Sequence, residues 1–503
     1  MNDRPLRHVT FILMLCFCVL FAQLNRIQVF EAESLKDDPS NTRTVQRDFK
    51  RPRGPIVTSD GVVVARSVMV DGPIGIERQY PEGDHYAHVA GYLSFTVGAD
   101  GVERSFNDEL VGRTPALELS SLAQVLGDAE TTGEVVLTLR DDLQRVAKEQ
   151  LGNRPGSVVA LDPRTGEILA MWSAPSFDPN PLASQDGATA NAAYAALLEA
   201  EGNPLRASAF REIFFPGSTF KVVTASAALA DGAATLQDPV FPIVESYTPP
   251  LTSRPIANFG GRSCGGDLLE LLRASCNSGI AQLATELIGP QVMVRSAQAY
   301  GFNVVPPLDI PGAVASNFPA DYGKQLDEPT EEIPAGVFEN SPALAQASIG
   351  QNDVSATPLQ MALVAAAIAN GGRMQVPHVV AEVRNVQGRA VSTTENTTWQ
   401  VAVEPDVATQ LRLAMVEVVE RGTGSVAATP GLVVGGKTGT AQLGTDPARS
   451  HAWFICFAGR EGQVADLAIA VLVEGQEGAS EQTGGRVAGP IAKALIDTYF
   501  QES

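Results

Sequence analysis

Residues 215–221 read Phe-Pro-Gly-Ser-Thr-Phe-Lys, a proline–glycine turn that leads into a helix. The helix is predicted from Thr219 to Ala230, where Asp231-Gly232 stops it. Ser218 and Lys221 lie three residues apart, so a helix places them on the same face. Lys221 can act as a base for the serine only where burial or a cationic neighbour disfavours its charged form. This spacing alone is weak evidence, because it is expected about once by chance in a chain of this length.

Two further motifs carry groups that can act with this pair. Ser275-Cys276-Asn277 lies 57 positions after Ser218 (275 − 218) and supplies a hydroxyl for proton transfer and an amide that pairs with a peptide backbone. Lys437-Thr438-Gly439-Thr440 follows 162 positions later (437 − 275) on a predicted strand. A glycine there permits close approach of a substrate backbone, and a lysine can hold an anionic group. Each motif alone is ordinary, a polar turn or a glycine-rich strand edge, and the chemistry requires all three to converge.

The order of strands and helices predicts an α+β fold. Apolar strands are predicted at 157–162, 167–173, 432–443, 452–458 and 465–473. Helices are predicted at 141–151, 219–230, 268–287, 358–370 and 487–500. Consecutive strands joined by short turns imply an antiparallel sheet, and helices between the two groups of strands imply a sheet flanked by helices. We therefore expect the early and late strands to meet in one sheet.

The N-terminus predicts a single membrane anchor. Arg4 and Arg7 precede an apolar run from Val9 to Leu24, which is slightly shorter than the ~20 residues of a spanning helix. A cleaved signal peptide is the rival interpretation, but small residues at cleavage spacing do not follow the run. Positive charge before the run predicts that residues 1–8 lie in the cytoplasm and the rest of the chain outside.

Composition excludes some classes of function. The chain has 503 residues and a formal charge of −21, which argues against nucleic acid as a partner, because phosphate contacts need clustered lysine and arginine. Its five histidines show no metal-ligand spacing, so neither a metal nor another cofactor is predicted. Of five cysteines, three fall in the predicted exported part, where disulfides persist.

The three motifs in this order resemble the class B penicillin-binding proteins, and most closely the group called penicillin-binding protein A. Other stretches share the resemblance: 53–56 (RGPI), 101–112, 156–180, 348–351 (SIGQ) and 435–442 (GGKTGTAQ). It implies a penicillin-binding transpeptidase fold with an N-terminal β-rich pedestal. It also implies a monofunctional serine D,D-transpeptidase that cross-links peptidoglycan stem peptides, releases terminal D-Ala and is acylated by β-lactams.

The resemblance also implies roles for particular residues. Ser218 is the expected nucleophile and Lys221 its base, Ser275 relays the proton, Asn277 holds the peptide, and Lys437 helps to bind the donor. The expected substrate-binding residues are Thr438, Gly439 and Thr440. The backbone N–H groups of Ser218 and Thr440 are expected to form the oxyanion hole.

The implied organisation has four parts: a cytoplasmic tail at 1–8, a transmembrane anchor at 9–26, a pedestal at 27–152 and the transpeptidase domain at 153–503. Expected partners are stem pentapeptides on glycan strands, β-lactams, the membrane, a SEDS-type glycosyltransferase and division proteins.

Two questions stay open at this stage. A catalytically dispensable division scaffold and a β-lactamase-like hydrolase are the alternative functions, although the intact motifs argue against the first and the pedestal and anchor against the second. Cys276, inside the second motif, either pairs with Cys264 twelve positions earlier (276 − 264) or remains a buried thiol. Cys456, in an apolar strand, is expected to be core packing.

Overall fold

A computed structural model of the chain describes residues 4–27, 49, 51–71, 75–120, 132–446, 449–476 and 482–501. The predicted tail at 1–8 and pedestal at 27–152 therefore lie partly outside the described residues. Helix α1 (Arg4–Asn25) contains an 18-residue window, His8–Asn25, with a mean hydropathy of 1.9. Among the described residues it is the one helix long and apolar enough to cross a membrane.

Eleven strands form two large sheets, and the described residues of 141–501 contain ten α-helices of at least six residues. The strands are, in chain order, β1 (Ile56–Val57), β2 (Val63–Met69), β3 (Ile76–Gln79), β4 (Glu134–Leu137), β5 (Gly156–Leu161), β6 (Ile168–Ala174), β7 (Val380–Arg384), β8 (Ala390–Thr393), β9 (Val433–Gln442), β10 (Ser450–Gly459) and β11 (Leu467–Val473). The helices are α2 (Asp141–Leu151), α3 (Gly187–Glu199), α4 (Lys221–Asp231), α5 (Leu268–Arg273), α6 (Asn277–Gln282), α7 (Gly289–Ala299), α8 (Ser341–Ser348), α9 (Pro358–Ala369), α10 (Pro405–Arg421) and α11 (Gly484–Gln501). Shorter strand pairs join Leu93–Ser94 to Gly98–Ala99, Phe241–Val244 to Cys264–Gly266, Ser246–Tyr247 to Ile256–Ala257, Gln325–Asp327 to Val337–Phe338 and Arg373–Gln375 to Thr398–Val401.

The larger part of the chain is built on a five-stranded antiparallel sheet with the order β9-β10-β11-β5-β6. Strand β11 pairs with β5 from Val473–Gly156 to Ala468–Leu161, so the expectation that early and late strands meet in one sheet is confirmed. Every residue of β5, β6, β10 and β11 is buried, because α2 and α11 cover one face and α9 the other. Strands buried on both faces read as continuous apolar runs, as these do.

The second sheet has six strands in the order β8-β7-β4-β1-β2-β3. Strands β1 to β4 come from the predicted pedestal, whereas β7 and β8 come from residues 380–393. Helix α2 lies inside the predicted pedestal range, but it packs on strand β6 of the five-stranded sheet and on helix α11. The boundary at residue 152 stays a prediction, and these segments cross it.

A buried ion-pair cluster holds the pedestal together. Glu103 accepts hydrogen bonds from Arg53 Nε at 3.0 Å and from Arg78 Nε at 2.5 Å, and all three side chains are fully buried. Burial alone would raise the pKa of Glu103, but Arg78 and Arg53 hold it below its ordinary value.

The prediction of one helix over 268–287 is wrong. The structure breaks it into α5, a turn at residues 274–276, α6 and a π-helical turn, Leu283–Ile288. Ser275 lies in the left-handed region with φ 57°, which costs energy for a residue other than glycine and persists only when its surroundings impose it. The other predicted strands and helices are present within a few residues of their expected ends.

Candidate active site

The nucleophile turn is a tight 3₁₀ turn, Gly217–Phe220, that continues directly into α4. Residues three apart eclipse in a 3₁₀ helix, so Ser218 and Lys221 face the same side. Gly217 has φ 53° and donates its N–H to the Gly350 carbonyl at 2.9 Å. A Cβ at Gly217 would lie 2.8 Å from the Thr440 carbonyl oxygen, so only glycine lets this turn approach β9 so closely.

Aromatic packing anchors the start of α4. Phe220 is fully buried, stacks on Phe318 and meets Phe302 edge to face, each at a centroid distance of 5.3 Å. Such pairs stabilise a fixed ring position. These rings and Val222, which is also buried, are the apolar residues next to Lys221 at the start of the helix.

Lys221 is fully buried, and its amine points towards the second motif. Its Nζ donates hydrogen bonds to the Ser275 carbonyl at 2.6 Å and to Asn277 Oδ1 at 2.6 Å, and lies 3.4 Å from Ser275 Oγ. Among the described residues no hydrogen bond joins it to Ser218, which is half-buried at the cleft. Burial lowers the pKa of Lys221 well below its ordinary value, and the positive charge of Lys437 lowers it further.

Residues outside the turn that carries Ser275 hold this turn in place. A disulfide joins Cys276 to Cys264, which resolves the question left open by the sequence. Asn258 Oδ1 accepts the N–H groups of Asn277 and Ser278, each at 2.9 Å, and so caps the start of α6. These constraints explain how a left-handed Ser275 is maintained.

Strand β9 brings the third motif to the same point. Lys437 is buried, and its Nζ donates to Ser275 Oγ at 2.8 Å and to the Thr438 carbonyl at 3.0 Å. Burial lowers the pKa of Lys437 to about 7. Ser275 Oγ therefore lies between two buried lysine amines, a position from which a hydroxyl can transfer a proton.

The edge position of β9 opens it to a substrate. It pairs with β10 on one side only, so its other edge is available for an extended peptide to bind as an added strand. A Cβ at Gly439 would lie 2.9 Å from the Pro216 carbonyl oxygen, so this glycine allows the strand and the nucleophile turn to touch. Thr438 Oγ1 shares a hydrogen bond of 2.7 Å with Thr423 Oγ1.

Ser218, Ser275, Asn277, Thr438 and Thr440 line one cleft of about 1010 Å³, and the buried amines of Lys221 and Lys437 contact Ser275 at its wall. The five residues of the predicted catalytic set converge here from three segments of the chain. The volume is at the upper end for a ligand cleft and fits an extended peptide.

Sequence reasoning missed three positioning residues: Asn258, Thr423 and Gly350. The side chain of Asn258 accepts hydrogen bonds from residues 19 and 20 positions away, and the hydroxyl of Thr423 shares a hydrogen bond with that of a residue 15 positions away. A Cβ at Gly350 would lie 2.2 Å from the Gly217 carbonyl oxygen. The stretch 348–351 was recognised only as part of a family resemblance, and Asn258 and Thr423 carry no local signal.

Comparison with known proteins gives matches along nearly the whole chain. A model described as the penicillin binding protein transpeptidase domain matches residues 156–497, and one described as the penicillin binding protein A dimerisation domain matches residues 53–136. The peptidoglycan D,D-transpeptidase PbpA of Mycolicibacterium smegmatis is 37% identical over 517 residues, covering 99% of each chain. The PbpA of Mycobacterium tuberculosis is 35% identical over 515 residues, again covering 99% of each chain.

Solved structures agree with these matches. A crystal structure of PBPA from Mycobacterium tuberculosis has a TM-score of 0.79 and 34% identity, covering 90% of this chain and 100% of that one. A ceftriaxone acyl-enzyme complex of penicillin-binding protein A from the same organism has the same TM-score and identity, covering 90% of this chain and 99% of that one.

Proposed function

The chain belongs to the class B penicillin-binding proteins, and from that premise we propose which of its residues carry out each step of the reaction. The enzyme is a peptidoglycan D,D-transpeptidase that works through a serine acyl-enzyme and is acylated by β-lactams. It is monofunctional, because the matched regions are a transpeptidase and a dimerisation domain and class B proteins lack a glycosyltransferase domain.

Ser218 is the nucleophile and Lys221 its base. The neutral amine of Lys221 takes the hydroxyl proton while Ser218 Oγ bonds to the carbonyl carbon of the penultimate D-Ala. The lowered pKa of Lys221 supports this role, because burial and then the charge of Lys437 favour the neutral amine, which is the form that can accept a proton. In the free enzyme this amine bonds to Ser275 and Asn277, so donor binding must redirect it towards Ser218.

Ser275 and Lys437 serve the leaving group. When the bond between the two D-Ala residues breaks, its nitrogen needs a proton, and Ser275 supplies one that is replaced from the lysine amines on either side. An amine of a second stem then attacks the acyl carbon, and the Ser218 oxygen departs and recovers its proton. Asn277 holds the donor backbone.

The remaining groups bind the donor. Lys437 and Thr438, assisted by Thr440, bind its terminal carboxylate, and Gly439 lets its backbone lie against β9. We assign the oxyanion hole to the N–H groups of Ser218 and Thr440, which would stabilise the carbonyl oxygen as it becomes negatively charged. The close approach of Gly217 to Thr440 supports this pairing.

The observation that carries these assignments is the position of Ser275 Oγ, 2.8 Å from Lys437 Nζ and 3.4 Å from Lys221 Nζ beside Ser218. The test is labelling of the full-length enzyme with a fluorescent penicillin. Ser218→Ala is expected to abolish labelling, and an unaltered band in this variant would refute the assignment of the nucleophile. Slow release of the hydrolysed label distinguishes the transferase from a β-lactamase-like hydrolase.

The organisation of the chain is a further part of the proposal: a cytoplasmic tail at 1–8, an anchor at 9–26, a pedestal at 27–152 and the transpeptidase domain at 153–503. Helix α1 and the ranges of the two matched domains support it. Protease treatment of intact cells tests the topology, since a C-terminal tag should be digested while an N-terminal tag is protected.

A SEDS-type glycosyltransferase and division proteins complete the proposed partners, on the ground of class B membership. Co-purification of the full-length chain from membranes tests this. Captured material that contains no glycosyltransferase would count against it.

A further inference from the structure

The active-site cleft has a charge opposite to that of the chain as a whole. The chain carries a formal charge of −21, yet none of the described residues that line the cleft is aspartate or glutamate. Four arginines line it: Arg262, Arg273, Arg421 and Arg486. A basic cleft on an acidic protein concentrates anionic ligands.

Two of these arginines already have counter-ions. Arg273 Nη2 lies 2.6 Å from Glu270 Oε2, and Arg421 Nε donates to Glu417 Oε2 at 2.9 Å. Each pair is close to neutral, so Arg273 and Arg421 add little net charge to the cleft.

The other two arginines have no side-chain partner among the residues that the structure describes. Arg262 precedes the strand that carries Cys264, and Arg486 lies in the first turn of α11. Both are exposed, and within the described part of the chain neither side chain has an ion pair or a hydrogen bond. Next to Arg486, a Cβ at Gly485 would lie 3.4 Å from Thr438 Cγ2, so this arginine stands beside the proposed donor-binding strand.

We propose that Arg262 and Arg486 make the enzyme selective for donor stems whose internal carboxylates are free rather than amidated. The internal carboxylates are those other than the terminal carboxylate of the stem. This proposal rests on the proposed function and names the charge state of its substrate. A guanidinium binds a carboxylate through two parallel charge-assisted hydrogen bonds, and a neutral amide keeps only part of that interaction. Because both arginines are exposed, each should contribute about a twofold to fivefold preference.

The test uses the full-length enzyme in detergent and two synthetic stem pentapeptides ending in D-Ala-D-Ala. They differ only in whether their internal carboxylates are free or amidated. The measured quantity is kcat/KM for release of terminal D-Ala in the presence of an acceptor amine. The parent enzyme should prefer the free acid, Arg262→Gln and Arg486→Gln should each lose part of the preference, and the double variant should lose all of it.

Arg254→Gln is the matched control, because Arg254 is exposed on the same part of the chain but does not line the cleft. It should keep the full preference. Added salt should reduce the preference in the parent enzyme, since exposed charges are screened.

A second readout separates this proposal from the proposed function. Acylation by a penicillin with a side-chain carboxylate is compared with acylation by one with a neutral side chain, in the parent and the double variant. Equal kcat/KM for the two peptides, or a preference that persists in the double variant, overturns the proposal if penicillin still acylates Ser218. Failure of the parent enzyme both to release D-Ala and to react with penicillin would instead overturn the proposed function.

Discussion

Asn258→Ala should both destabilise the transpeptidase domain and slow acylation, because the side chain of Asn258 holds the start of α6 in place. The side chain is buried and makes four hydrogen bonds. Its oxygen accepts the N–H groups of Asn277 and Ser278 at 2.9 Å, and its nitrogen donates to the Val244 carbonyl at 2.8 Å and to Ser278 Oγ at 3.1 Å. The residue thus joins the start of α6 to the neighbouring strand pair.

The magnitude follows from these bonds. Each contributes about 0.5–1.5 kcal/mol net, and loss of a helix cap alone costs about 1 kcal/mol. The substitution removes four bonds and leaves two buried N–H groups without an acceptor, so a loss of roughly 2–4 kcal/mol in unfolding free energy is expected. Because Asn277 Oδ1 holds Lys221 Nζ, acylation should slow about tenfold, equivalent to about 1.4 kcal/mol of activation free energy.

Urea unfolding and the second-order rate of penicillin acylation measure the two effects. Asn258→Asp keeps an acceptor for both N–H groups but loses the donor to the Val244 carbonyl and to Ser278 Oγ, so its effect should be intermediate. Asn396→Ala, at an exposed position, is the neutral control. An Asn258→Ala enzyme that unfolds within about 1 kcal/mol of the parent, near the cost of one hydrogen bond, and acylates at the parental rate would refute the reasoning.

Three other substitutions test separate parts of the structure. Glu103→Gln leaves two buried guanidinium groups without a counter-charge and should lower the unfolding free energy by about 3–5 kcal/mol at neutral pH. Because the folded pKa of Glu103 is lowered, urea unfolding should show this difference in full above the ordinary glutamate pKa. The difference should shrink as the pH falls through the folded pKa. Lys221→Arg should reduce the acylation rate about a hundredfold or more at every pH, because a guanidinium stays protonated. The acylation rate of the parent should rise with pH as Lys221 loses its proton. A similar rise in the variant would contradict the assignment of Lys221 as the base. Cys264→Ser removes the disulfide that closes a separation of 12 residues and should lower the unfolding free energy by roughly 3 kcal/mol; dithiothreitol should lower the stability of the parent and leave that of the variant unchanged.

Much of the fold and the identity of the reactive groups could be predicted because their signals are local. The strands β5, β6, β10 and β11 are continuous apolar runs, which marks them as buried on both faces. The three-residue spacing of Ser218 and Lys221 places them on one helical face whatever surrounds them.

Other features depend on segments far apart in the chain. The break at Ser275 could not be predicted, because residues 268–287 have helical periodicity and are interrupted only by a disulfide to Cys264 and a cap from Asn258. Strand β7 joins the pedestal sheet by pairing with β4, 243 to 250 positions earlier (380 − 137 and 384 − 134), and β8 pairs with β7. Neither contact leaves a pattern in the local sequence.

The sequence by itself therefore determined the family, the α+β architecture and the groups that can react, since residue identity, order and periodicity carry that information. Only the tertiary structure decided how those groups are tuned. The lowered pKa of Lys221 depends on burial and on Lys437, which is distant in the chain. Whether an arginine of the cleft is ion-paired depends on which carboxylates of the described residues pack beside it. Burial and through-space charge are properties of packed neighbours, and those neighbours exist only once the chain has folded.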